Sequence, residues 1–275
     1  MTVLVTGSSG LLGGTLVRLL GRGARGLDVR PGPLTALAAD LGDRDALRRG
    51  LEGAVAVVHV AALHAPHVGR LSDAEFRRVN VEATALLLEE ARAAGVARFV
   101  LTSTTSVYGA AMVPAGRAVW VDEDLVPQPR DIYDTTKLAA EALVRAAAPG
   151  FARGAAILRI GRCFREPAPV RAAHRLHRGL AMADAARAHL LAAGSDVQGT
   201  FTIAAASPFR REDADELLAD AQAVLRRRAP GLPALFARRG WPLPASVDRV
   251  YDASRAAAFG FRSRYDFDRP RWHQV

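Results

Sequence analysis

Three residue types that most proteins use freely are almost missing from this chain of 275 residues. Cysteine occurs once, as Cys163, which excludes an internal disulfide and fits a reducing, cytoplasmic compartment. Lysine and asparagine also occur once each, as Lys137 and Asn80. A bias against A-rich codons would explain both losses, but it does not explain where the two remaining residues lie.

Long apolar runs are missing as well. No run reaches the roughly 18–20 residues that a helix needs to cross a bilayer. The N-terminus leads directly into a strand-like segment, without the basic region and cleavage site of a secretory signal. We therefore expect neither a membrane span nor secretion.

Positive charge is in excess, since 37 basic residues face 28 acidic ones and give a formal net charge of +9. The arginines are scattered singly or in pairs. The densest run, Arg226–Arg228, ends a predicted helix, where basic side chains complement the helix dipole. No aromatic residues interleave with the arginines to stack on bases. We predict no specific nucleic-acid partner, and attraction of an anionic cofactor or substrate instead.

The first thirty residues have the pattern of a dinucleotide-binding unit. A short apolar strand precedes the glycine-rich turn Gly7–Gly13, and an apolar-periodic helix follows to about Leu20. Such a turn brings backbone N–H groups close to a pyrophosphate at a helix N-terminus. A second strand places Asp28 about 20 residues further on, where a carboxylate binds the adenosine ribose and favours NAD over NADP. Arg30 just beyond it leaves NADP open.

The chain then alternates between strand and helix patterns. A nearly continuous apolar run over 54–62 is typical of a buried parallel strand, and a long helix is predicted from about Ser72 to Ala94 with Asn80 inside it. Two further strands are predicted at Arg98–Thr102 and Ala155–Ile160. This alternation predicts an α/β fold with a Rossmann-type doubly wound parallel sheet.

The pattern is less regular after Gly161. We expect a loop over 162–171, a helix around 181–193, a strand at 200–204 and a helix at 212–228. Residues 1–165 are interpreted as the NAD-binding core, and residues 166–275 as the last sheet elements interleaved with a small C-terminal substrate lobe. Both parts are expected to form one compact unit.

The single lysine lies four residues after Tyr133, in a segment rich in helix formers. Residues at i and i+4 share one helix face, so the phenol and the ammonium can act on the same small volume. A nearby cation favours phenolate and lowers the tyrosine pKa from about 10 toward neutrality. Tyr133 and Lys137 therefore form a candidate general acid/base.

These features together resemble the extended short-chain dehydrogenase/reductase family, the NAD-dependent epimerase/dehydratase group. The resemblance covers roughly residues 1–165 and rests on the following stretches: Thr6–Gly13, Asp28, Asp40-Leu41, His59–Ala62, Asn80, Thr102–Gly109 and Tyr133-x-x-x-Lys137.

The resemblance implies a catalytic set of Thr104, Tyr133 and Lys137. Thr104 would hold the substrate oxygen, Tyr133 would exchange the hydroxyl proton, and Lys137 would bind the nicotinamide ribose. The cofactor would be NAD, held by Gly7, Ser9, Gly10, Leu11, Leu12, Gly13, Asp28, Asp40, Leu41, His59, Val60, Ala61, Asn80, Tyr133, Lys137 and Ile160.

Substrate contacts are expected at three residues. The run Arg159–Pro167 is similar to that of uronate dehydrogenases in the same family, and it replaces the long nucleotide-binding insertion of the sugar-nucleotide epimerases. By that similarity Arg171 would pair with a substrate carboxylate. His64 and Thr105 are expected as further contacts because each follows the end of a predicted strand. His64 and His67 could begin a metal site, but no third ligand is evident, so no metal is predicted.

Three functions follow from this interpretation. The first is an NAD-dependent oxidoreductase acting on a sugar-like hydroxyl or carbonyl substrate, with a uronate as one candidate. The alternatives are an epimerase or dehydratase of nucleotide sugars with retained NAD, and a non-catalytic NAD(P)-binding sensor. The resemblance also implies a homodimer formed by the helices that carry Asn80 and Lys137.

Overall fold

The computed structural model describes residues 1–267, which fall into two compact units. The first comprises Met1–Val107, Pro129–Arg159 and Ala186–Thr200, and the second comprises Tyr108–Gln128, Ile160–Ala185 and the residues from Phe201 onward. The units are interleaved along the chain. This division differs from a single split after residue 165, because residues 108–128 group with the second unit and residues 186–200 with the first.

Nine strands are described: β1 Thr2–Thr6, β2 Ala24–Asp28, β3 Leu37–Ala38, β4 Ala54–His59, β5 Arg98–Thr104, β6 Val119–Val121, β7 Ala155–Ile160, β8 Gly199–Ile203 and β9 Arg249–Tyr251. The nine α-helices of residues 1–267 are α1 Leu11–Leu20, α2 Arg44–Leu51, α3 Asp73–Arg77, α4 Ala83–Ala93, α5 Ile132–Ala147, α6 Ala168–Arg175, α7 Met182–Gly194, α8 Ala214–Arg228 and α9 Gly231–Arg238. None of them is long and apolar enough to cross a membrane.

Seven strands form one sheet in the order β3-β2-β1-β4-β5-β7-β8. The pairs β1–β2, β1–β4, β2–β3 and β4–β5 are parallel. The order reverses at β1, because β2 lies on one side of it and β4 on the other. In a doubly wound sheet the ligand crevice lies at the carboxyl ends of the strands at this reversal. The Rossmann-type fold expected from the sequence is confirmed.

The core of the first unit explains why these segments form strands and helices. Leu4, Val57 and Phe99 are fully buried on the sheet, and Leu87 and Val144 bury the apolar faces of α4 and α5 against it. Each such side chain stabilises the fold by about 1.5–3 kcal/mol through burial. The apolar periodicity of the sequence thus fixes which face of each helix packs on the sheet.

The helix expected over 72–94 is present as consecutive helical segments from Asp73 to Ala93, and the structure adds a π-helical turn inside it. Ser72 caps α3 through a bond from Glu75 N to its hydroxyl, and a π-helical segment over Arg78–Glu82 separates α3 from α4. Asn80 lies inside this segment. Such bulges are frequent at functional sites because they redirect side chains of an otherwise regular helix.

The second unit contains elements that the sequence interpretation missed. The expected loop over 162–171 contains the start of α6, whose first turn includes a proline, a position where the missing N–H is harmless. Strands β6 and β9 form a separate two-stranded parallel ladder, and α9 follows α8. A core that includes Leu217, Phe236 and Val250 holds these elements together.

Candidate active site

The glycine-rich turn between β1 and α1 leaves no room for a side chain at Gly7 or Gly13. Gly7 has φ +74°, and a Cβ there would lie 2.8 Å from Ala61 N. A Cβ on Gly13 would lie 2.1 Å from the carbonyl oxygen of Gly7. Glycine is therefore required at both positions, and the backbone itself forms the surface of the turn.

Helix α1 differs from its neighbours at its N-terminus. Gly10 is its N-cap, no side chain bonds the first backbone N–H groups, and no acidic residue lies in the first turn. By contrast, Asp43 caps α2 and Asp131 caps α5 through their carboxylates. The positive end of the α1 dipole thus carries N–H groups without a side-chain acceptor, the arrangement that binds phosphate in dinucleotide-binding folds. The side chain of Leu12 is buried, which leaves its backbone for such contacts.

The Asp28 carboxylate at the end of β2 is held by backbone donors. Ser9 N donates to Oδ2 at 3.0 Å and Arg30 N donates to Oδ1 at 2.9 Å. The Arg30 guanidinium lies further away, with Nε 3.9 Å from Oδ1, and its side chain is 73% exposed. Each carboxylate oxygen can accept further hydrogen bonds, so Asp28 is fixed in place and can still bind ribose hydroxyls.

Asp40 and Leu41 lie beyond β3. The Asp40 carboxylate accepts from Gly42 N at 2.7 Å and from the Arg78 guanidinium at 3.0 Å. The Arg78 hydrogen bond lowers the pKa of Asp40 from its usual value. The Leu41 side chain is buried in the core of the first unit.

The end of β4 is tied to β1 through Thr6. Its hydroxyl oxygen accepts from both Val60 N and Ala61 N at 3.1 Å. With both lone pairs engaged, the hydroxyl proton is directed to His59 Nδ1 at 2.7 Å. The end of β4, which was expected to lie along the cofactor, is therefore held to β1 by hydrogen bonds from its backbone to the Thr6 hydroxyl.

The His59 side chain is a buried neutral connector. Since Nδ1 accepts from Thr6, Nε2 carries the proton and donates to Thr84 Oγ1 at 3.0 Å, and Thr84 donates to the Asn80 carbonyl at 2.8 Å. Burial, together with the charge of Lys137, lowers the pKa of His59 from 6.5 to about 3. The imidazole thus stays uncharged at neutral pH and connects β1, β4 and the π-helical segment.

Asn80 joins two parts of the site through its side chain. Its Oδ1 accepts from Leu63 N at 2.8 Å, and its Nδ2 donates to Leu63 O at 3.0 Å and to Thr136 Oγ1 at 3.1 Å. The π-helical segment aims the amide at both partners. Asn80 therefore holds the loop after β4 and the helix α5 in register.

Tyr133 and Lys137 lie one turn apart in the first half of α5, which begins at Ile132. Lys137 is 4% exposed, and its Nζ donates to Thr102 O at 2.8 Å. Burial lowers the pKa of Lys137 from 10.5 to about 8, and the charge of Glu141 opposes part of this shift. The ammonium form therefore predominates at pH 7, within reach of the carboxyl end of β5.

A buried ion pair below Lys137 was not predicted from the sequence. Glu141 accepts from Arg159 Nε at 2.9 Å and Nη2 at 2.7 Å, from Ser103 Oγ at 2.5 Å and from Arg145 at 3.1 Å. Burial raises the pKa of Glu141, but these donors outweigh it and hold the pKa below its usual value. Its spacing of four residues from Lys137 was the available signal, because it puts both side chains on one helix face.

Thr104 ends β5 and its Oγ1 accepts from Ser106 N at 3.0 Å. The Thr104 hydroxyl thus uses one of its two lone pairs in this turn. Ser106 in turn donates from Oγ to Asp134 Oδ1 at 2.5 Å, which connects the turn to α5. This second contact was also absent from the sequence interpretation.

The expected substrate contacts lie in both units. Thr105 is buried directly after β5. His64 follows β4, and its backbone N–H donates to His67 Nδ1 at 3.0 Å. Burial and the neighbouring His67 lower the pKa of His64. Ile160 ends β7 and Arg171 lies on α6 of the second unit. Within residues 1–267, no group of three or more His, Cys, Asp or Glu side chains is arranged to hold a metal ion.

Curated relatives match about half of this chain. Sterol demethylase protein B of Methylococcus capsulatus is 37% identical over 152 residues, covering 51% of this chain and 45% of its own length. UDP-glucose 4-epimerase of Erwinia amylovora is 34% identical over 166 residues, covering 53% and 48%. D-erythronate dehydrogenase of Cupriavidus necator is 32% identical over 169 residues, covering 52% and 49%. The chain thus spans about half the length of these relatives.

Solved structures match nearly the whole chain. A short-chain dehydrogenase/reductase superfamily protein from Agrobacterium tumefaciens with bound NAD has a TM-score of 0.70 and 25% identity, covering 98% of this chain and 94% of that one. MoeE5 in complex with UDP-glucose and NAD has a TM-score of 0.68 and 25% identity, covering 96% and 94%. The family model of the NAD dependent epimerase/dehydratase family matches residues 3–190. The chain therefore belongs to the NAD dependent epimerase/dehydratase family.

Proposed function

We propose that this protein is an NAD-dependent oxidoreductase in which Thr104, Tyr133 and Lys137 act on a hydroxyl or carbonyl group of a sugar-like substrate. The observation that carries the proposal is the buried Lys137, whose Nζ is bonded to Thr102 O at the end of β5. A buried ammonium is costly, and its spacing from Tyr133 gives it a chemical use. The non-catalytic sensor offers no such use for a cation beside a phenol.

The residues around the glycine-rich turn fit NAD. The close-packed Gly7 and Gly13 expose only backbone at their own positions, and the N-terminus of α1, capped by Gly10, suits the pyrophosphate. Asp28 would bind the adenosine ribose, and its negative charge would disfavour the 2′-phosphate of NADP. Asp40 and Leu41 would contact the adenine.

The remaining proposed cofactor contacts follow the strand ends. The backbone of residues 59–61 would lie along the dinucleotide, and Asn80 would support that loop through Leu63. Leu11 and Leu12 would contribute backbone N–H groups, and Ser9 and Ile160 would be further contacts, Ile160 from the end of β7.

Each catalytic residue has a defined task in this proposal. Bound NAD would accept a hydride from the substrate carbon or return one to it. Tyr133 would remove the proton from the substrate hydroxyl during oxidation and return it to the oxygen during reduction. Lys137 would favour the phenolate form of Tyr133 and bind the nicotinamide ribose. Thr104 would donate its hydroxyl proton to the substrate oxygen while its Oγ1 accepts from Ser106 N.

The substrate class that we propose is a sugar acid. The guanidinium of Arg171 suits a carboxylate, which it can bind in a bidentate manner, and His64 and Thr105 would be further contacts. The relative named D-erythronate dehydrogenase bears the name of a sugar-acid enzyme. The sequence similarity of residues 159–167 to uronate dehydrogenases supports the same class.

The test is a screen for NADH formation. The purified chain is mixed with NAD and, separately, with glucuronate, galacturonate, erythronate and free aldoses. We expect NADH from at least one sugar acid and much less from the aldoses. NADP in place of NAD should give a slower rate, and absence of NADH with every compound would contradict the proposal.

The second candidate is an epimerase or dehydratase of nucleotide sugars, favoured by the relative named UDP-glucose 4-epimerase. Such an enzyme keeps its cofactor through the whole cycle. The two candidates are separated by denaturing the purified protein and measuring released NAD. A stoichiometric amount favours the epimerase, whereas a protein that purifies empty and is stabilised by added NAD favours the dehydrogenase.

We also propose a homodimer formed through α4 and α5. These helices border an open groove of about 710 Å³ that includes Leu88, Arg92 and Leu143. Light scattering coupled to size-exclusion chromatography should give the mass of a dimer for the wild type and of a monomer for Leu143→Glu. The matched control is Leu19→Glu, at a leucine that is 59% exposed on α1 and should stay dimeric.

A further inference from the structure

A side-chain bridge connects the turn after β5 to the first turn of α5. Ser106 Oγ donates to Asp134 Oδ1 at 2.5 Å, and Asp134 is completely buried. The helix does not need the Asp134 carboxylate as a cap, because Asp131 Oδ1 already accepts from Asp134 N at 2.9 Å. The carboxylate is therefore committed to contacts outside the helix.

The Asp134 carboxylate is costly to bury. The Arg130 guanidinium approaches to 3.6 Å, but its side chain is 51% exposed, and Arg130 N lies 3.3 Å from Oδ2. Burial raises the pKa of Asp134 above its usual value, and the hydrogen bond from Ser106 opposes that shift. Alanine would occupy this helix position at less cost. The buried carboxylate is thus best explained by what it holds in place.

The bridge connects Thr104 and Tyr133, the two residues that are proposed to contact the substrate oxygen. Asp134 is the residue after Tyr133, and Ser106 N donates to Thr104 Oγ1 at 3.0 Å. Thr104 and Tyr133 come from different elements, a strand and a helix, and both must contact one substrate oxygen. The distance between them depends on how the turn after β5 is held against α5. The Ser106–Asp134 hydrogen bond joins these two elements at residues adjacent to Thr104 and Tyr133.

We propose that Ser106 and Asp134 are positioning residues that hold the Thr104 hydroxyl in register with the Tyr133 phenol. The inference rests on the proposed function, since it assigns a role within the same site. Neither side chain touches the reacting atoms. A misplacement of about 1 Å in such a site lowers the rate by about 100-fold, so the bridge affects the rate constant and not the binding of NAD.

The first test needs no substrate. Hydrogen–deuterium exchange of the full chain with added NAD should show faster exchange over residues 102–110 in Ser106→Ala and Asp134→Ala, by about tenfold. Ser106→Thr keeps a hydroxyl and should exchange like the wild type. Peptides from β1 and α1 serve as the internal control. Unchanged exchange over residues 102–110 in both alanine variants would overturn the proposal.

The second test is kinetic and uses the sugar acid that forms NADH fastest in the screen. Ser106→Ala and Asp134→Ala should each lower kcat by about 10–100-fold and leave the KM for NAD within about twofold. Asp134→Asn keeps a carbonyl that accepts from Ser106 and should recover most of the rate. If Asp134→Ala does not fold, Ser106→Ala tests the bridge from its other end.

The Thr104→Ala background separates positioning from general structural support. If the bridge acts through Thr104, Ser106→Ala should lower kcat by less than about threefold in the Thr104→Ala background, because the hydroxyl that the bridge positions is already absent. An equal loss in both backgrounds would overturn the proposal. The proposed function itself fails if Tyr133→Phe keeps wild-type turnover. The positioning role alone fails if Tyr133→Phe is inactive while both alanine variants turn over normally.

Discussion

Replacing Lys137 with methionine should remove a buried charge whose cost depends on pH. Burial lowers the pKa of Lys137 from 10.5 to about 8 in the folded protein. Below pH 8 the ammonium is charged in both the folded and unfolded states, so folding bears the full desolvation cost. As the pH rises from about 8 toward 10.5, the folded state releases the proton that the unfolded chain keeps, and the cost declines.

These two pKa values set the size of the effect. The charge lowers the free energy of unfolding of the wild type by about 3 kcal/mol at pH 7 and by about 1.5 kcal/mol at pH 9.5. Between these pH values the wild type should therefore gain about 2 kcal/mol relative to Lys137→Met. For a chain of this length the corresponding change in the Tm difference is about 4–8 °C.

The assay is chemical denaturation of both proteins, without NAD, at pH 7, 8.5 and 9.5. Other titrating groups cancel in the difference between the two proteins. Methionine keeps an unbranched chain of similar length, so packing changes little. The variant should also lose NADH formation while it stays folded. A stability difference that is constant over this pH range would refute the reasoning.

Three further predictions concern the cofactor side and the buried histidines. Gly13→Ala should lower the free energy of unfolding by more than about 1 kcal/mol, measured by denaturation, because its Cβ would meet the Gly7 carbonyl. Asp28→Ala should raise the Kd for NAD by about 10–100-fold and change that for NADP much less, measured by calorimetry. Burial lowers the pKa of both His59 and His177 from 6.5 to about 3, so the folded state resists their protonation. These two histidines together should then lower the free energy of unfolding by about 2–3 kcal/mol per pH unit as the pH drops from 6 to 4.5, and His59→Gln should remove about half of that contribution.

The first part of the fold could be predicted because its signals are local. The glycine-rich turn, the strand before it and the helix after it lie within twenty residues of one another. The strand Ala155–Ile160 was predicted with the bounds that the structure has, since its apolar run ends at Gly161. Local patterns of this kind carry their own boundaries.

The π-helical turn within the helix over 72–94 could not be predicted, because the hydrogen-bond partners of its Asn80 lie far away in sequence. Asn80 bonds Leu63, 17 residues away, and Thr136, 56 residues away. Periodicity reports which face of a helix is apolar, and it contains no information about a distant hydrogen-bond partner. The single asparagine marked the position but not its geometry.

The same limit applies to the polar contacts of α5 with the sheet and with the turn after β5. The bonds from Ser103 and Arg159 to Glu141 and from Ser106 to Asp134 each join residues 18 to 38 positions apart. The spacing in the sequence shows that Glu141 shares a helix face with Lys137. Which strand residues face Glu141 depends on how α5 packs on the sheet, which the spacing does not show. In the second unit, the short ladder of β6 and β9 joins segments more than a hundred residues apart.

Tyr133→Phe tests the central claim most directly, because it removes one hydroxyl from the proposed proton-transfer group. The measurement pairs NAD binding by calorimetry with NADH formation from the sugar acid that the wild type oxidises fastest. We predict an NAD Kd within about twofold of the wild type and a loss of at least about 100-fold in kcat, the scale of a lost general base. Wild-type turnover in the variant would contradict the account.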